Sequence, residues 1–481
     1  MKLTGKEKAS YGLGAVGKDM VYMLSASYIL YYYQDILGVN AYVMGIILLA
    51  ARIFDAFNDP FMGILVAKTK TKWGKFRPWL LIGTLTNAVV LILMFSAPLS
   101  LSGNGLVAYA AVTYIVWGIT YTMMDIPYWS MIPAFTEGGK EREGLSAIAR
   151  SCAGVGSAII TVITMVLVPL FGKIGHGTLA EQAAGGNVEA SKFIERYGFR
   201  IFAIMVAVLF VIFIVITCVN IKEKSTIDVE APTVKQMFKA LFSNDQAMVV
   251  VIAIVLINTS IYLTSNLVIY FFEYDFGGSG WRNAYTLFNT FGGAVQILSM
   301  MILFPLLRKK FSTIKVFYLS FISAILGYAI LLGLMFTSMS NLILLLIPAF
   351  FIFAANGLLS VLTTVFLANS VDYGEIKNNR RDESIIFSMQ TFVVKLASGF
   401  AVFAASVCLG ACHINKDATE NAAATAEQLA KANLTGLRLT MTVLPIIGLL
   451  AALFIFRRKF ILTEEKVAEI SEQVKLLHEE K

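Results

Sequence analysis

Along this chain, long apolar runs alternate with short polar stretches from one end to the other. A helix crossing a bilayer needs ~20 consecutive apolar residues, because the hydrocarbon core offers the backbone no hydrogen-bond partner but itself. On that pattern twelve helices are predicted, at 10–36, 41–67, 78–98, 105–135, 144–172, 199–220, 246–273, 284–307, 313–337, 341–369, 385–411 and 437–456. Several exceed the minimum, which implies tilt or extension into water. Residues 221–245 break the pattern, being polar at first and then amphipathic around Val234–Phe242. The expected organisation is a six-helix half at 1–220, a linker at 221–245, a second six-helix half at 246–460 and a tail at 461–481. In the tail, Glu and Lys alternate around Val467, Ile470, Val474 and Leu477. That spacing predicts an amphipathic helix, solvated or lying on the membrane surface. The opening Met-Lys-Leu-Thr-Gly-Lys is not followed by a short apolar core and a small-residue cleavage site, so the first helix is read as retained.

Composition agrees with an all-α membrane protein. Of 481 residues, 57% are hydrophobic and only 15% charged, with a mean hydropathy of +0.73. The net charge of +8 would suggest nucleic acid in a soluble protein, but its distribution says otherwise. Lys68, Lys70, Lys72, Lys75 and Arg77 crowd the second connection, Lys140 and Arg142 the fourth, and Lys222, Lys224, Lys235 and Lys239 the sixth. Arg308, Lys309 and Lys310 follow in the eighth, Lys377, Arg380 and Arg381 in the tenth, and Arg457, Arg458 and Lys459 after the last span. The first, third and ninth connections have no Lys or Arg. This alternation is the positive-inside pattern, and it puts both termini in the cytoplasm. The fifth loop (173–198) and the eleventh, with Lys416 and Lys431, are mild exceptions. Nucleic-acid binding is excluded as a function class.

Enzyme chemistry finds no foothold. Cys152, Cys218, Cys408 and Cys412 lack metal spacing, and His176, His413 and His478 are scattered in loops or the tail. No P-loop, dinucleotide turn or nucleophile–histidine pair can be assembled, so neither catalysis nor an organic cofactor is expected.

The informative residues are the ionisable ones inside the spans. Each costs at least ~2.5–3.5 kcal/mol at membrane depth, so they mark ion or substrate pathways. Arg52, Asp55, Asn58 and Asp59 share one face of the second helix. Two aspartates with an amide beside them suit a small hard cation. The bland alternative is a structural Arg52–Asp55 salt bridge, although Arg52 can neutralise only one of the two carboxylates. Lys18 and Asp19 lie in the first helix, Arg150 in the fifth and Lys395 in the eleventh. On the fourth, Tyr121, Asp125 and Trp129 follow at four-residue intervals, with Thr122 just aside. Charged groups that hydrogen-bond hydroxyls, next to an aromatic face for the C–H side of a ring, make a sugar site in physical terms. The alternative is that Lys18, Asp19, Asp125 and Arg150 merely pair with one another. Lys18 and Arg150 balance Asp19 and Asp125, so a neutral glycoside is expected over a hexuronide.

Six motifs, in order, carry a resemblance. They are Gly17-Lys18-Asp19, the run Ala51–Pro60, the run Trp73–Trp79, Tyr121-Thr122-Met-Met-Asp125-Ile-Pro127, Val371-Asp372-Tyr373-Gly374-Glu375 and Gln390-Thr391-Phe-Val-Val-Lys395. Over residues 7–460 the chain resembles the glycoside–pentoside–hexuronide:cation symporters of the major facilitator superfamily, the sodium/melibiose carriers among them. The resemblance implies two six-helix halves with the substrate site near the midplane, and residence in the inner membrane of a bacterium. It implies Na⁺, Li⁺ or H⁺ held by Asp55, Asn58, Asp59 and Thr122, and a sugar lined by Lys18, Asp19, Tyr121, Asp125, Trp129 and Arg150. Lys395 and Arg52 would couple the two, with a monomer as the working unit and lipid as its surroundings. Two positions depart from the melibiose pattern. Ser360 stands where those carriers have a tryptophan and Asn369 where they have an aspartate, which removes an aromatic wall and leaves the galactoside open. A pentoside or hexuronide symporter, a uniporter and a transport-inactive sugar sensor remain alternatives.

Overall fold

The computed structural model describes every residue except 1–2, 137–138, 222–238, 240–241, 278–280, 338–340, 379–381, 415–431 and 480–481. Most of the expected linker at 221–245 lies outside the described residues, as does the eleventh connection with Lys416 and Lys431. The described chain is all-helical. Its first half holds α1 (Gly5–Tyr31), α2 (Ala41–Lys68), α3 (Arg77–Met94), α4 (Gly103–Phe135), α5 (Gly139–Gly172), the short α6 (Gly177–Ala184) and α7 (Val188–Asn220). The second holds α8 (Asp245–Tyr270), α9 (Trp281–Leu298), the short α10 (Phe304–Arg308), α11 (Thr313–Thr337), α12 (Leu342–Asn378), α13 (Glu383–Ala411) and α14 (Leu434–Lys459), and the tail helix α15 (Glu464–Glu479) follows.

Among the described residues, ten helical segments are long and apolar enough to cross a membrane. The long helices outside that group are α1 and α2, which carry Lys18 with Asp19 and Arg52 with Asp55 and Asp59 at mid-length. On α2 the two faces separate cleanly. Asp55 and Asp59 are buried, while Ile46, Leu49, Ile53, Phe57 and Phe61 form an exposed apolar stripe suited to lipid.

The chain divides into two compact units, Met1–Glu137 with Ile148–Lys239 and Arg381–Phe392, and Gly138–Ala147 with Ala240–Arg380 and Val393–Lys481. In the first, α1 packs on α7, α2 on α4, and α3 on both α4 and α7. In the second, α8 packs on α14, α9 on α12, and α11 on both α12 and α14. Counting long helices, both units pair first with sixth, second with fourth, and third with fourth and sixth. One packing scheme occurs twice.

Short segments join the unit opposite to their own half of the chain. In the first unit Lys75 pairs with Glu383 at 3.5 Å, and a Cβ on Gly63 would lie only 2.3 Å from the Ser388 Oγ. In the second, Arg308 holds Glu143 through Nε at 2.6 Å and Nη2 at 2.8 Å. Beside it Arg142 Nη1 donates to the Asn369 Oδ1 at 3.0 Å and pairs with Asp372 at 2.7 Å.

Several expectations change here. Hydropathy ended the tenth span at 369 because Asn369, Asp372 and Glu375 are polar, yet α12 continues to Asn378 with all three buried. The guanidinium of Arg142 satisfies two of them, which no local pattern reveals. The loop expected at 173–198 is largely helical, with Asn187 capping α7 by accepting from the Glu189 and Ala190 N–H groups. The tail is no loose appendage. Leu462, Val467, Ile470 and Val474 bury their apolar face against Tyr373, Ile376 and Phe460.

Glu464 fastens that tail, accepting from the Thr313 N–H at 2.6 Å and hydroxyl at 2.8 Å and pairing with Arg308 at 2.8 Å. Burial alone would raise its carboxyl, but Thr313 and Arg308 outweigh burial and hold it below the usual carboxylate range. The clasp therefore contributes fully above the ordinary Glu value of ~4.3 and is lost as pH falls through the lower folded value. Glu464→Ala is expected to cost about 1 kcal/mol, since the carboxylate is half-exposed and screened by water. A thermal-unfolding series in detergent from neutral to acid pH checks this, and the difference from wild type should be full at neutral pH and shrink as pH falls below the ordinary Glu value.

Candidate functional site

The charged residues of α1, α2, α4 and α5 fall into two neighbouring clusters, both in the first unit. Between α1 and α4 the backbones are fixed by Tyr11 and Tyr128. Each hydroxyl donates to the other residue's carbonyl, that of Tyr128 at 2.7 Å, and the rings stack at 4.4 Å. Above this clamp the Lys18 ammonium, almost fully buried, meets Asp125 Oδ1 at 2.7 Å and Asp19 Oδ2 at 3.0 Å. It also donates to the Tyr121 hydroxyl at 3.3 Å. The Trp129 Nε1 donates to the same Asp125 oxygen at 3.1 Å. The Arg150 guanidinium lies over the Trp129 ring, its Cζ 3.9 Å from the centroid.

All six sugar-site candidates are thus joined in one network. The alternative reading is realised in part, because Lys18 does pair with both aspartates. Such pairing is what a buried ammonium requires, and it leaves both carboxylates with acceptor capacity to spare. Asp19 and Asp125 keep 18% and 14% of their side-chain surface exposed against 4% for Lys18, so the acceptors rather than the cation face open space.

The second cluster joins α2 to α4. The Thr122 Oγ1 donates to the Asp59 Oδ1 at 3.0 Å, and Asp59 is only 1% exposed. Asp55 lies one turn earlier against Gly118, where an added Cβ would sit 2.2 Å from its Oδ1. The Asn58 amide nitrogen is buried without a hydrogen bond. These side chains offer two carboxylates, an amide oxygen and a hydroxyl, all hard donors, which fits an alkali cation. Among the described residues no group of three His, Cys, Asp or Glu side chains has metal-site geometry. Two acids suit a monovalent charge.

Arg52 has more neighbours than its expected pairing with Asp55. The Tyr22 and Tyr114 hydroxyls lie beside it, and the Asp55 carboxylate is also within its electrostatic reach. Those tyrosines belong to an aromatic ladder in which Trp117 stacks on Tyr114 at 5.8 Å and on Tyr121 at 5.2 Å, and Tyr22 approaches Tyr121 at 5.5 Å. The ladder runs from Arg52 beside the cation cluster to Lys18 in the sugar cluster. Sequence reasoning missed Tyr22, Tyr114, Trp117 and Gly118. Aromatics in a span read by default as core, and only the small residue one turn before Thr122 hinted at a close approach. Lys395 and Ser360 are half-buried on α13 and α12 in the second unit.

Gly118→Ala is expected to force its methyl group into Asp55 and lower cation affinity at least tenfold, a change worth about 1.4 kcal/mol. Sugar binding measured without the cation should move far less. Equal losses in both titrations would show general misfolding instead.

The chain has many relatives. Residues 10–464 match the family described as MFS/sugar transport protein. The lactose permease of Lactobacillus delbrueckii subsp. bulgaricus is 28% identical over 98% of this chain and 73% of its own length. The inner membrane symporter YicJ of Escherichia coli is 27% identical over 98% of this chain and 95% of its own. Among solved structures, the fold is similar to that of the E. coli fucose:proton symporter, with a TM-score of 0.63 at 13% identity over 94% of this chain and 97% of that one.

Proposed function

The chain belongs to the MFS/sugar transport family, the glycoside–pentoside–hexuronide:cation symporters of the major facilitator superfamily, and we propose that it imports a neutral glycoside together with Na⁺, or Li⁺ or H⁺ in its place. As a family member it is a multi-pass sugar:cation symporter of the bacterial inner membrane and not an enzyme. The finer reading has α1 and α2 crossing the membrane with the ten apolar segments, both termini in the cytoplasm, and a monomer alternating access between two six-helix halves. Asp55, Asn58, Asp59 and Thr122 hold the cation. Lys18, Asp19, Tyr121, Asp125, Trp129 and Arg150 hold the sugar, and Arg52 and Lys395 couple the two.

The observation that carries this reading is the division of labour along α4. Thr122 reaches the Asp59 carboxylate, while Tyr121 and Asp125 turn to Lys18. One rigid helix therefore touches both clusters, so filling one changes what the other must satisfy. Charge supports a neutral substrate. Two cations balance two carboxylates, and a uronate would add a third negative group in low dielectric, where like-charge juxtaposition costs several kcal/mol. Galactosides come first among neutral sugars, in keeping with the lactose permease similarity and the melibiose-carrier motifs.

The test offers radiolabelled melibiose, lactose, xylosides and glucuronides to cells expressing the protein, with and without Na⁺ or Li⁺ and across pH. A neutral glycoside taken up faster with one of these cations is expected. Better transport of a glucuronide would refute the pocket reading, and flux indifferent to Na⁺, Li⁺ and pH would favour a uniporter.

A further inference from the structure

A cavity of about 190 Å³ lies at the far end of the first unit from the tyrosine clamp, where the segment following α1, the segment after α3 and the first turns of α7 meet. Its chemistry is one-sided. Arg196 and Arg200 both line it and stand four residues apart on α7, where like charges repel. Arg196 spends one N–H on the Ala97 carbonyl at 2.7 Å, leaving most of the five donors of a guanidinium uncommitted. Arg200 is exposed and has no ion pair or hydrogen bond among the described residues.

Two hydroxyls add to the donor excess. Tyr32 is fully buried, and its hydroxyl lies beside Arg196 without a well-formed hydrogen bond. The Ser96 hydroxyl is likewise buried and unbonded. Among the described residues no carboxylate lines the cavity, and the nearby Glu195 is engaged by the Tyr31 hydroxyl at 2.6 Å. Buried donors without acceptors are costly, and two guanidinium groups with adjacent hydroxyls match an oxyanion with several acceptor oxygens.

We propose that this cavity binds a phosphate-class oxyanion, with Arg196 and Arg200 taking its charge and the Tyr32 and Ser96 hydroxyls its remaining oxygens. The surroundings favour a phosphodiester carried by lipid. Leu93 on α3, Leu99 in the segment after it and Ile204 on α7 are exposed nearby, where acyl chains would lie, and aromatic side chains such as Tyr197 at the rim suit the membrane interface. With no acid to receive an ammonium, an anionic headgroup such as phosphatidylglycerol fits better than phosphatidylethanolamine. The site is separate from the transport clusters and does not rest on their reading.

The test uses the full-length protein purified in detergent and native mass spectrometry with phosphatidylglycerol, phosphatidylethanolamine and inorganic phosphate. Phosphatidylglycerol should be retained in preference to phosphatidylethanolamine, and Arg200→Gln should weaken that retention on the order of tenfold, the worth of a charged hydrogen bond. Arg196→Gln should weaken it too, but it also frees the Ala97 carbonyl, so the exposed Arg200 is the decisive position. Phosphate binding that Arg200→Gln abolishes, without lipid preference, would assign the same site to a soluble oxyanion. Equal retention of both lipids and of phosphate by wild type and Arg200→Gln would overturn the proposal.

Discussion

Asp59→Cys is expected to abolish cation-stimulated, concentrative sugar uptake while leaving downhill exchange of sugar. The carboxylate is 1% exposed, receives the Thr122 hydroxyl at 3.0 Å and stands one helical turn from Asp55. A cation between two such carboxylates relieves their mutual repulsion. Because α4 also carries Tyr121 and Asp125, the relief is coupled to sugar affinity. Coupling free energies of this kind run ~1–3 kcal/mol, or roughly 5–150-fold, and act equally in both directions. Wild type should therefore bind sugar more tightly with Na⁺, Li⁺ or H⁺ by that order, and bind cation more tightly with sugar by the same factor. In Asp59→Cys both factors should fall to one. Uptake against a gradient in membrane vesicles of this variant would sink the idea.

Asp125→Ala should produce the opposite separation, with sugar binding lost and cation binding largely kept. Asp125 meets the Lys18 ammonium at 2.7 Å and accepts from the Trp129 indole at 3.1 Å. Its removal leaves a buried ammonium with Asp19 as its remaining carboxylate and frees the indole that Arg150 covers. Truncating one partner of a buried ion pair costs ~3–5 kcal/mol, chiefly from the charge left behind. The sugar loses in addition an acceptor worth about 1–3 kcal/mol, or roughly 5–150-fold in affinity. Asp125→Asn keeps the shape and removes the charge, and should fall between alanine and wild type. Calorimetric titration with sugar and, separately, with Na⁺ tells the effects apart. Parallel loss of both affinities would mean that the helix, not the pocket, had been damaged.

Much of this was legible in one dimension. Helical spans follow from apolar length, since a backbone in hydrocarbon must bond to itself. The shared face of Asp55, Asn58 and Asp59 follows from the turn of a helix, as does the Tyr121, Asp125 and Trp129 stripe. Ionisable residues are so costly at membrane depth that their presence alone marked the candidate positions. The amphipathic tail, too, was visible as a period.

What spacing along one helix could not supply was which groups meet. Lys18 was a charge in α1 until folding set it 2.7 Å from Asp125, and Arg52 had Asp55 as its one visible neighbour until folding brought Tyr22 and Tyr114 beside it as well. Gly118 carries no side chain to announce it, and its role exists only because the Asp55 carboxylate occupies the space a Cβ would need. The same holds for the tail, whose apolar face packs against Tyr373, Ile376 and Phe460, and for the end of α12, where hydropathy saw polar residues leaving the membrane and the fold pairs Asn369 and Asp372 with Arg142. Element type is a property of local apolar period and backbone self-sufficiency, which the chain carries by itself. The partners of a buried charge are a property of helix packing, because its energy depends on groups a few ångströms away that lie tens to hundreds of residues apart in sequence.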